Sequence, residues 1–263
     1  MKDDPLVIKL GGALLDKQKS MKTFFDFLST YYHNCFRKLV VVHGGGKLID
    51  DMMKKMGMKI SKIDGIRVTN SSNIDIVVGA LSGIANKRIL SHLKRNKIDF
   101  IGISLSDGDS VLVERSNKSD LRNRIGIPKV GNPRFLLDLL KKRIVPVVSS
   151  IGISNFGELM NVNADLAASV LAKTLNADLI LLSDVSSIFD KEGNRIVSIN
   201  RKNSNILINN RTIQDGMIVK VQAALNASEL LGRTVQIASW KESNEKLKNL
   251  FNGESQIGTI CTR

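Results

Sequence analysis

Long apolar runs, paired cysteines, prolines and aromatic residues are all scarce in this sequence, and each scarcity removes a class of protein. No stretch reaches the roughly 18 uncharged apolar residues that a membrane-spanning helix needs. Behind Met1-Lys2-Asp3-Asp4-Pro5 comes only the short run Leu6 to Ile8, too little for the core of a secretory signal. The 2 cysteines, Cys35 and Cys261, stand far apart without CxxC spacing. That argues against a disulfide framework or a zinc site and fits a reducing cytoplasm. There are 4 prolines and neither a low-complexity run nor a solenoid repeat, so an ordered chain is expected. Aromatic residues make up 5%, which leaves few platforms on which bases could stack. His33, His43 and His92 lie in unrelated contexts, with no metal triad and no Ser-His-Asp or Cys-His arrangement. His43, ahead of three glycines, reads as structural. A Walker A loop is missing too, because Gly46-Lys47 is followed by Leu48, and no GxGxxG follows a strand.

What the chain does carry is positive charge and an apolar core. The net charge of +14 comes from 39 Lys+Arg against 25 Asp+Glu. The basic residues are spread along the chain, which favours a lysine-rich surface and anionic substrates over nucleic-acid binding. With 263 residues, 43% of them hydrophobic, there is material for one large α/β domain or two lobes sharing a sheet.

Short β-rich runs alternate with longer helical patterns, the signature of a mainly parallel sheet covered by helices. Strands are expected at Leu6–Leu10, Leu39–Val42, Asp99–Ile103, Ile144–Val148, Leu179–Leu182 and, as the last, Thr234–Ala238. Helices are expected at Met21–Phe36, Lys47–Met56 with Gly57 beyond its end, Pro133–Lys142, Asn163–Leu175, Asn205–Asn210 and Met217–Leu231. One long helix, capped by Asn70, Ser71 or Ser72, runs to about Arg95 and contains the small residues Gly79, Ala80, Gly83 and Ala85. Turns fall at Ser106–Asp109, Asn155–Gly157 and Asp190–Asn194, and residues 116–126 read as a polar loop. A lobe boundary is expected near 176–178, giving 1–177 and 178–263.

Glycines gather where these strands end: Gly11-Gly12, Gly44-Gly45-Gly46 and Gly152. In open α/β sheets ligands bind at the carboxyl ends of strands. Adjacent glycines let backbone N–H groups converge on an anion beside a helix N-terminus. Lys9 lies inside an apolar strand, two residues ahead of the first pair. Burial there is costly unless the ammonium meets a counter-charge. Lys220, beyond Asp215-Gly216-Met217, shares a helix face with Ala223 and Ala224; it either points inward or lies along the surface. Asn161 and Asn163 alternate, so they share one side of a strand. Asp165 falls in the first turn of the following helix, and capping is an alternative role for Asn163 and Asp165. Arg67 presents two parallel donors suited to a carboxylate, although an arginine in a loop is also a plain surface charge.

Lys9-Leu10-Gly11-Gly12, His43-Gly44-Gly45-Gly46, Gly65-Ile66-Arg67-Val68-Thr69, Asn161-Val162-Asn163-Ala164-Asp165 and Asp215-Gly216-Met217-x-x-Lys220 follow one another in this order. This set resembles the amino-acid kinase family over essentially the whole chain, specifically its branch acting on N-acetyl-L-glutamate. The resemblance implies a three-layer αβα sandwich of the carbamate-kinase-like kind. It implies ATP, with Mg²⁺ carried on the nucleotide phosphates, and a homodimer serving arginine biosynthesis. Lys9 and Lys220 would stabilise the transferring phosphoryl group, and Asp165 would hold both lysines. Amides of Gly11, Gly12, Gly45 and Gly46 would face the phosphates and the acyl substrate. Arg67 and Asn161 would bind the substrate's carboxylate and acetamido end. Asp184, Val185, Ser186, Ser187, Ile188 and Phe189, with Thr212, Ile213 and Gln214, would form the nucleotide side. Ser187 stands where a glycine is expected. The first strand begins within a few residues of Met1, without the extra N-terminal helix of arginine-inhibited hexamers, so neither a hexamer nor strong arginine inhibition is expected. The alternatives are a kinase of the same fold acting on an aminoadipate derivative or another acidic amino acid, and a non-catalytic amino-acid-binding regulator.

Overall fold

Alternation along the central strands decides the layers. Residues 4–35, 37–63, 66–116, 120 and 122–263 are described in the computed structural model. Gly65, Phe36 at the expected end of the first long helix, the first three residues, and residues 117–119 and 121 of the expected polar loop lie outside them. The chain begins β1 (Leu6–Leu10), α1 (Gly12–Leu15), α2 (Gln18–Asn34), β2 (Leu39–His43), α3 (Gly46–Lys55), β3 (Lys62–Ile63) and β4 (Ile66–Arg67). It continues through α4 (Ile74–Val78), a π-helical stretch (Gly79–Ala85), α5 (Asn86–Arg95), β5 (Phe100–Ser104), β6 (Val111–Arg115), β7 (Ile125–Val130), α6 (Arg134–Lys141), β8 (Val145–Ser149), β9 (Ile151–Ile153) and β10 (Leu159–Val162). The remainder is α7 (Ala164–Thr174), β11 (Asp178–Ser183), β12 (Ser198–Ile199), α8 (Arg201–Asn209), α9 (Asp215–Leu231), β13 (Val235–Ser239), α10 (Asn244–Asn252) and β14 (Thr259–Cys261).

Eight strands form the main sheet in the order β12-β14-β13-β11-β1-β2-β8-β5. All its pairings are parallel except β13 with β14. Successive side chains of a strand face opposite sides. Val7, Val40, Val42, Leu179 and Leu181 accordingly pack under α6, α7 and α9. Leu6, Ile8, Leu10, Leu39, Val41, Ile180 and Leu182 pack under α2, α5 and α10. Each such fully buried side chain stabilises the fold by about 1.5–3 kcal/mol. Lys9 shares the face of Val7, so the pleat aims it at the layer of α7 and α9 rather than at the layer of α2. A smaller sheet, β6-β7-β10-β9, and the two-stranded β3–β4 hairpin extend the amino-terminal half.

The expected sandwich, its parallel strands and most helices are present; the differences are local. The long helix starts after Asn73, not after residues 70–72. It opens into a π-helical stretch over Gly79–Ala85. Helix α8 begins at Arg201, four residues earlier than read, because Asn200 and Asn203 form a reciprocal capping box. The strand at 235–239 is not the last. Helix α10, capped by Ser243, returns the chain to β14, which pairs antiparallel with β13.

Candidate active site

Two cavities open at the carboxyl ends of the central strands, one on each side of the glycine loops. A Cβ built on Gly12 would lie 3.6 Å from the Gly46 nitrogen, so the first two glycine clusters abut.

The first cavity, of about 180 Å³, is lined by Lys9, Gly11, Gly12, Asp165, Ser183, Asp184 and Lys220 among others. Lys9 comes from β1 and Lys220 from α9, more than 200 positions apart in sequence. The Lys9 Nζ lies 2.8 Å from Asp165 Oδ1, with the two side chains only 15% and 18% exposed. Asp165 is fixed by its helix: the Asn163 side chain caps α7 by accepting from the amides of Asp165 at 2.9 Å and Leu166 at 3.2 Å. Capping is therefore the observed role of Asn163, and Asp165 also gains from the helix N-terminus.

Asp165 does not hold both lysines. Lys220 donates to Ser183 Oγ at 2.8 Å and to Asp184 Oδ1 at 3.4 Å. Ser183 ends β11 and Asp184 follows it, so Lys220 reaches the cavity over the carboxyl end of that strand. Burial by itself would raise the Asp184 carboxyl; its own backbone amide, Lys220 and Ser183 outweigh that and hold it below the usual carboxylate range. Lys241, not singled out from the sequence, also donates to the Asp184 carbonyl at 2.8 Å. The Gly11 amide already serves the sheet, donating to the Leu182 carbonyl at 3.2 Å. Gly12, first residue of α1, and Gly46, first residue of α3, are left as helix-terminal donors.

The second cavity, also about 180 Å³, is lined by Gly44, Gly45, Gly46, Lys62, Arg67, Ser150, Asn161 and Asn163 with the apolar Ile49, Leu81, Val162 and Ala164. Arg67 is buried, not a plain surface charge. Its Nη2 donates to the Gly46 carbonyl at 2.9 Å and lies 2.5 Å from Asp50 Oδ1, while Nη1 faces the Met53 sulfur at 3.6 Å. Asn161 Nδ2 donates to Thr69 Oγ1 at 2.9 Å. The π-helical stretch delivers Leu81 so closely that a Cβ on Gly45 would lie 2.9 Å from it. His43 is wholly buried behind the glycine loop. Its Nδ1 stands 3.0 Å from the Gly44 carbonyl and its Nε2 3.2 Å from the Asn86 amide nitrogen. Burial pushes its pKa down to about 4, so the ring is neutral and the structural reading holds.

The residues expected on the nucleotide side divide. Asp184 lines the first cavity. Ile188 and Ile213 are buried in the core, and Ser187 is buried too, whereas Phe189 is exposed. The buried Ser187 shows why that position tolerates a residue other than glycine: no φ in the left-handed region occurs there. Thr212 hydrogen-bonds Asn210, and Gln214 precedes α9 at its N-cap. Val185 and Ser186 lie between β11 and these buried residues. None of these except Asp184 is among the residues lining either cavity. Lys62, Ser183 and Ser150, which line the cavities, and Asp50, which pairs with Arg67 beside the second, were missed because no motif marks them; only the tertiary contacts place them.

Residues 4–239 match the Amino acid kinase family. The chain belongs to that family. An acetylglutamate kinase of Buchnera aphidicola subsp. Schizaphis graminum is 49% identical over 255 residues, 97% of each chain. The Streptococcus mutans protein smu.665 superposes with a TM-score of 0.82 at 25% identity, covering 99% of both chains. Giardia carbamate kinase superposes with a TM-score of 0.66 over the full length of both, at 17% identity, a likeness of fold alone. As in its family, the central sheet of this amino acid kinase is mostly parallel and flanked by helices.

Proposed function

We infer that this chain is a kinase that transfers the γ-phosphoryl group of ATP to the γ-carboxylate of N-acetyl-L-glutamate, giving N-acetyl-L-glutamyl 5-phosphate for arginine biosynthesis. The observation that carries this reading is the convergence of Lys9 and Lys220 in one cavity, next to a second cavity that holds Arg67 and Asn161. The 49% identical relative supports the choice of substrate.

A carboxylate is already a nucleophile at neutral pH, so the reaction needs no general base. What the site must supply is in-line alignment and neutralisation of charge on the phosphoryl oxygens. Lys9 and Lys220 are the groups for that charge. Asp165 keeps Lys9 from folding away, and Ser183 with Asp184 does the same for Lys220. Gly12 and Gly46 open α1 and α3 beside one another, and their amides serve as anion donors at the seam between the cavities. Arg67 and Asn161 bind the acyl amino acid's carboxylate and acetamido group, with Gly45 and Gly46 forming the floor. The donors around the first cavity are ammonium groups and amides, a set suited to phosphate oxygens. Mg²⁺ would come with ATP and supply charge neutralisation from the nucleotide side, while Asp165 is engaged by Lys9 and Asp184 by Lys220.

Residues 1–177 carry the acyl cavity and the homodimer contact, and residues 178–263 carry the nucleotide. The Asp184–Phe189 segment and Thr212–Gln214 serve ATP through backbone groups where their side chains are buried. The enzyme works in the cytoplasm; no helix among the described residues is long and apolar enough to cross a membrane.

The test is a hydroxylamine trap for acyl phosphate with MgATP and one of N-acetylglutamate, glutamate, aspartate or N-acetylaspartate. Hydroxamate with N-acetylglutamate alone is expected. Signal with another acid in its place refutes the substrate, and no ATP-dependent signal refutes the reaction.

A further inference from the structure

We propose that Asp50 is a positioning residue for recognition of the acyl amino acid, holding Arg67 and Lys62 at the second cavity from helix α3. The inference rests on the reading of that cavity as the acyl pocket.

Asp50 lies one turn into α3, the helix that begins at Gly46 of the glycine loop. Its two oxygens are divided between two cations. Oδ1 lies 2.5 Å from Arg67 Nη2, and Oδ2 accepts from Lys62 Nζ at 2.9 Å. Lys62 is on β3 and Arg67 on β4, directly opposite each other in the hairpin register. One carboxylate thus ties both strands of the hairpin to the helix behind the glycine loop. Both cations line the cavity, whereas Asp50 is not among the lining residues.

A guanidinium has five N–H groups. Nη2 donates to the Gly46 carbonyl and stands in ion-pair contact with Asp50 Oδ1, and Nη1 faces the weakly accepting Met53 sulfur. Among the described residues none places an acceptor on Nε. By holding the Nη2 end of the guanidinium, Asp50 sets how Arg67 presents its remaining donors to the cavity. Arg67 is 6% exposed, and a guanidinium so buried without a counter-charge is strongly unfavourable. Without Asp50 the side chain would turn toward water or toward another acceptor. Burial alone would raise the Asp50 carboxyl, but the hydrogen bonds and charges of Lys62 and Arg67 prevail and keep it below the ordinary range, so it remains an anion at neutral pH.

The test is steady-state kinetics by hydroxylamine trapping on the full chain, comparing wild type with Asp50→Asn, Asp50→Ser, Asp50→Glu and Arg67→Lys. Asp50→Asn should raise KM for N-acetylglutamate about tenfold to a hundredfold, the scale of one hydrogen bond to a charged group. KM for ATP and kcat should stay within about threefold, because the first cavity is untouched. Asp50→Glu should recover most of the loss. Asp50→Ser removes the charge with a smaller side chain and carries the same criterion where Asp50→Asn does not fold. A raised KM in Arg67→Lys with normal KM in the uncharged Asp50 variants overturns the proposal and leaves the pocket assignment standing. Normal KM in Arg67→Lys as well overturns both. A loss shared equally by both substrates marks a purely structural role and also overturns the proposal.

Discussion

Replacing Lys9 by methionine separates catalysis from stability. The ammonium is 2.8 Å from Asp165 Oδ1, and both side chains are largely buried. Lys9→Met keeps the apolar stem but leaves Asp165 without its partner. A fully buried broken pair costs about 3–5 kcal/mol. Here the partial exposure and the N-terminus of α7 soften the loss, so about 1–3 kcal/mol is expected. For a chain of this size that lowers Tm by about 2–12 °C. Native proteins are stable by about 5–15 kcal/mol, so nearly all the variant remains folded at 25 °C. Removing one charge contact to the phosphoryl oxygens should nevertheless lower kcat by about 10²–10³. The companion Lys9→Met/Asp165→Asn variant removes the stranded carboxylate as well. It should regain much of the lost Tm and none of the lost turnover. Thermal unfolding followed by circular dichroism, with hydroxylamine-trap kinetics on the same samples, reads both quantities. A single variant with kcat within about tenfold of wild type, or a double variant that recovers turnover, would refute the reasoning.

Lys220→Ala should lower kcat by about 10²–10³ with a stability change under about 1 kcal/mol, since its ion pair with Asp184 is a third or more exposed on both sides; a large fall in Tm would show that the lysine is chiefly structural. Gly102→Ala should lower Tm in the unfolding scan, because the new Cβ would fall 2.2 Å from the Oδ1 of Asn86, a buried side chain held by its hydrogen bonds to His43 and the Val147 carbonyl. His43 gives a pH signature. Its folded pKa of about 4 lies below the unfolded value of 6.5, so between the two the unfolded chain binds a proton that the folded chain refuses. That contribution to stability is fully present above the unfolded value and is lost as pH falls toward the folded one, by on the order of 3 kcal/mol. Urea unfolding at a series of pH values should show the loss in wild type and a shallower slope in His43→Asn; equal slopes would contradict it.

The central strands and the helices with strong apolar periodicity were legible because they depend on local pattern. Leu39–Val42 is apolar throughout, and α7 announces itself through Asn163 and an alanine-rich run. Helix α10 and β14 were not, since a nine-residue polar-surfaced helix and a three-residue strand carry little periodic signal. The π-helical stretch over Gly79–Ala85 was equally hidden, because small residues fit a regular α-helix as well.

By itself the sequence determined that glycines would crowd the ends of two strands, that Lys9 would be enclosed, and that it would face the side of the sheet occupied by Val7. Those are consequences of a two-residue pleat and of the cost of burying a charge. Which carboxylate meets which cation was decided only by the tertiary structure. Asp165 goes to Lys9, Asp184 to Lys220 and Asp50 to Arg67 and Lys62, because such pairs depend on where α3, α7 and α9 come to rest against the sheet. Direction and reach of long side chains across elements far apart in the chain are set by packing, and no local pattern encodes them.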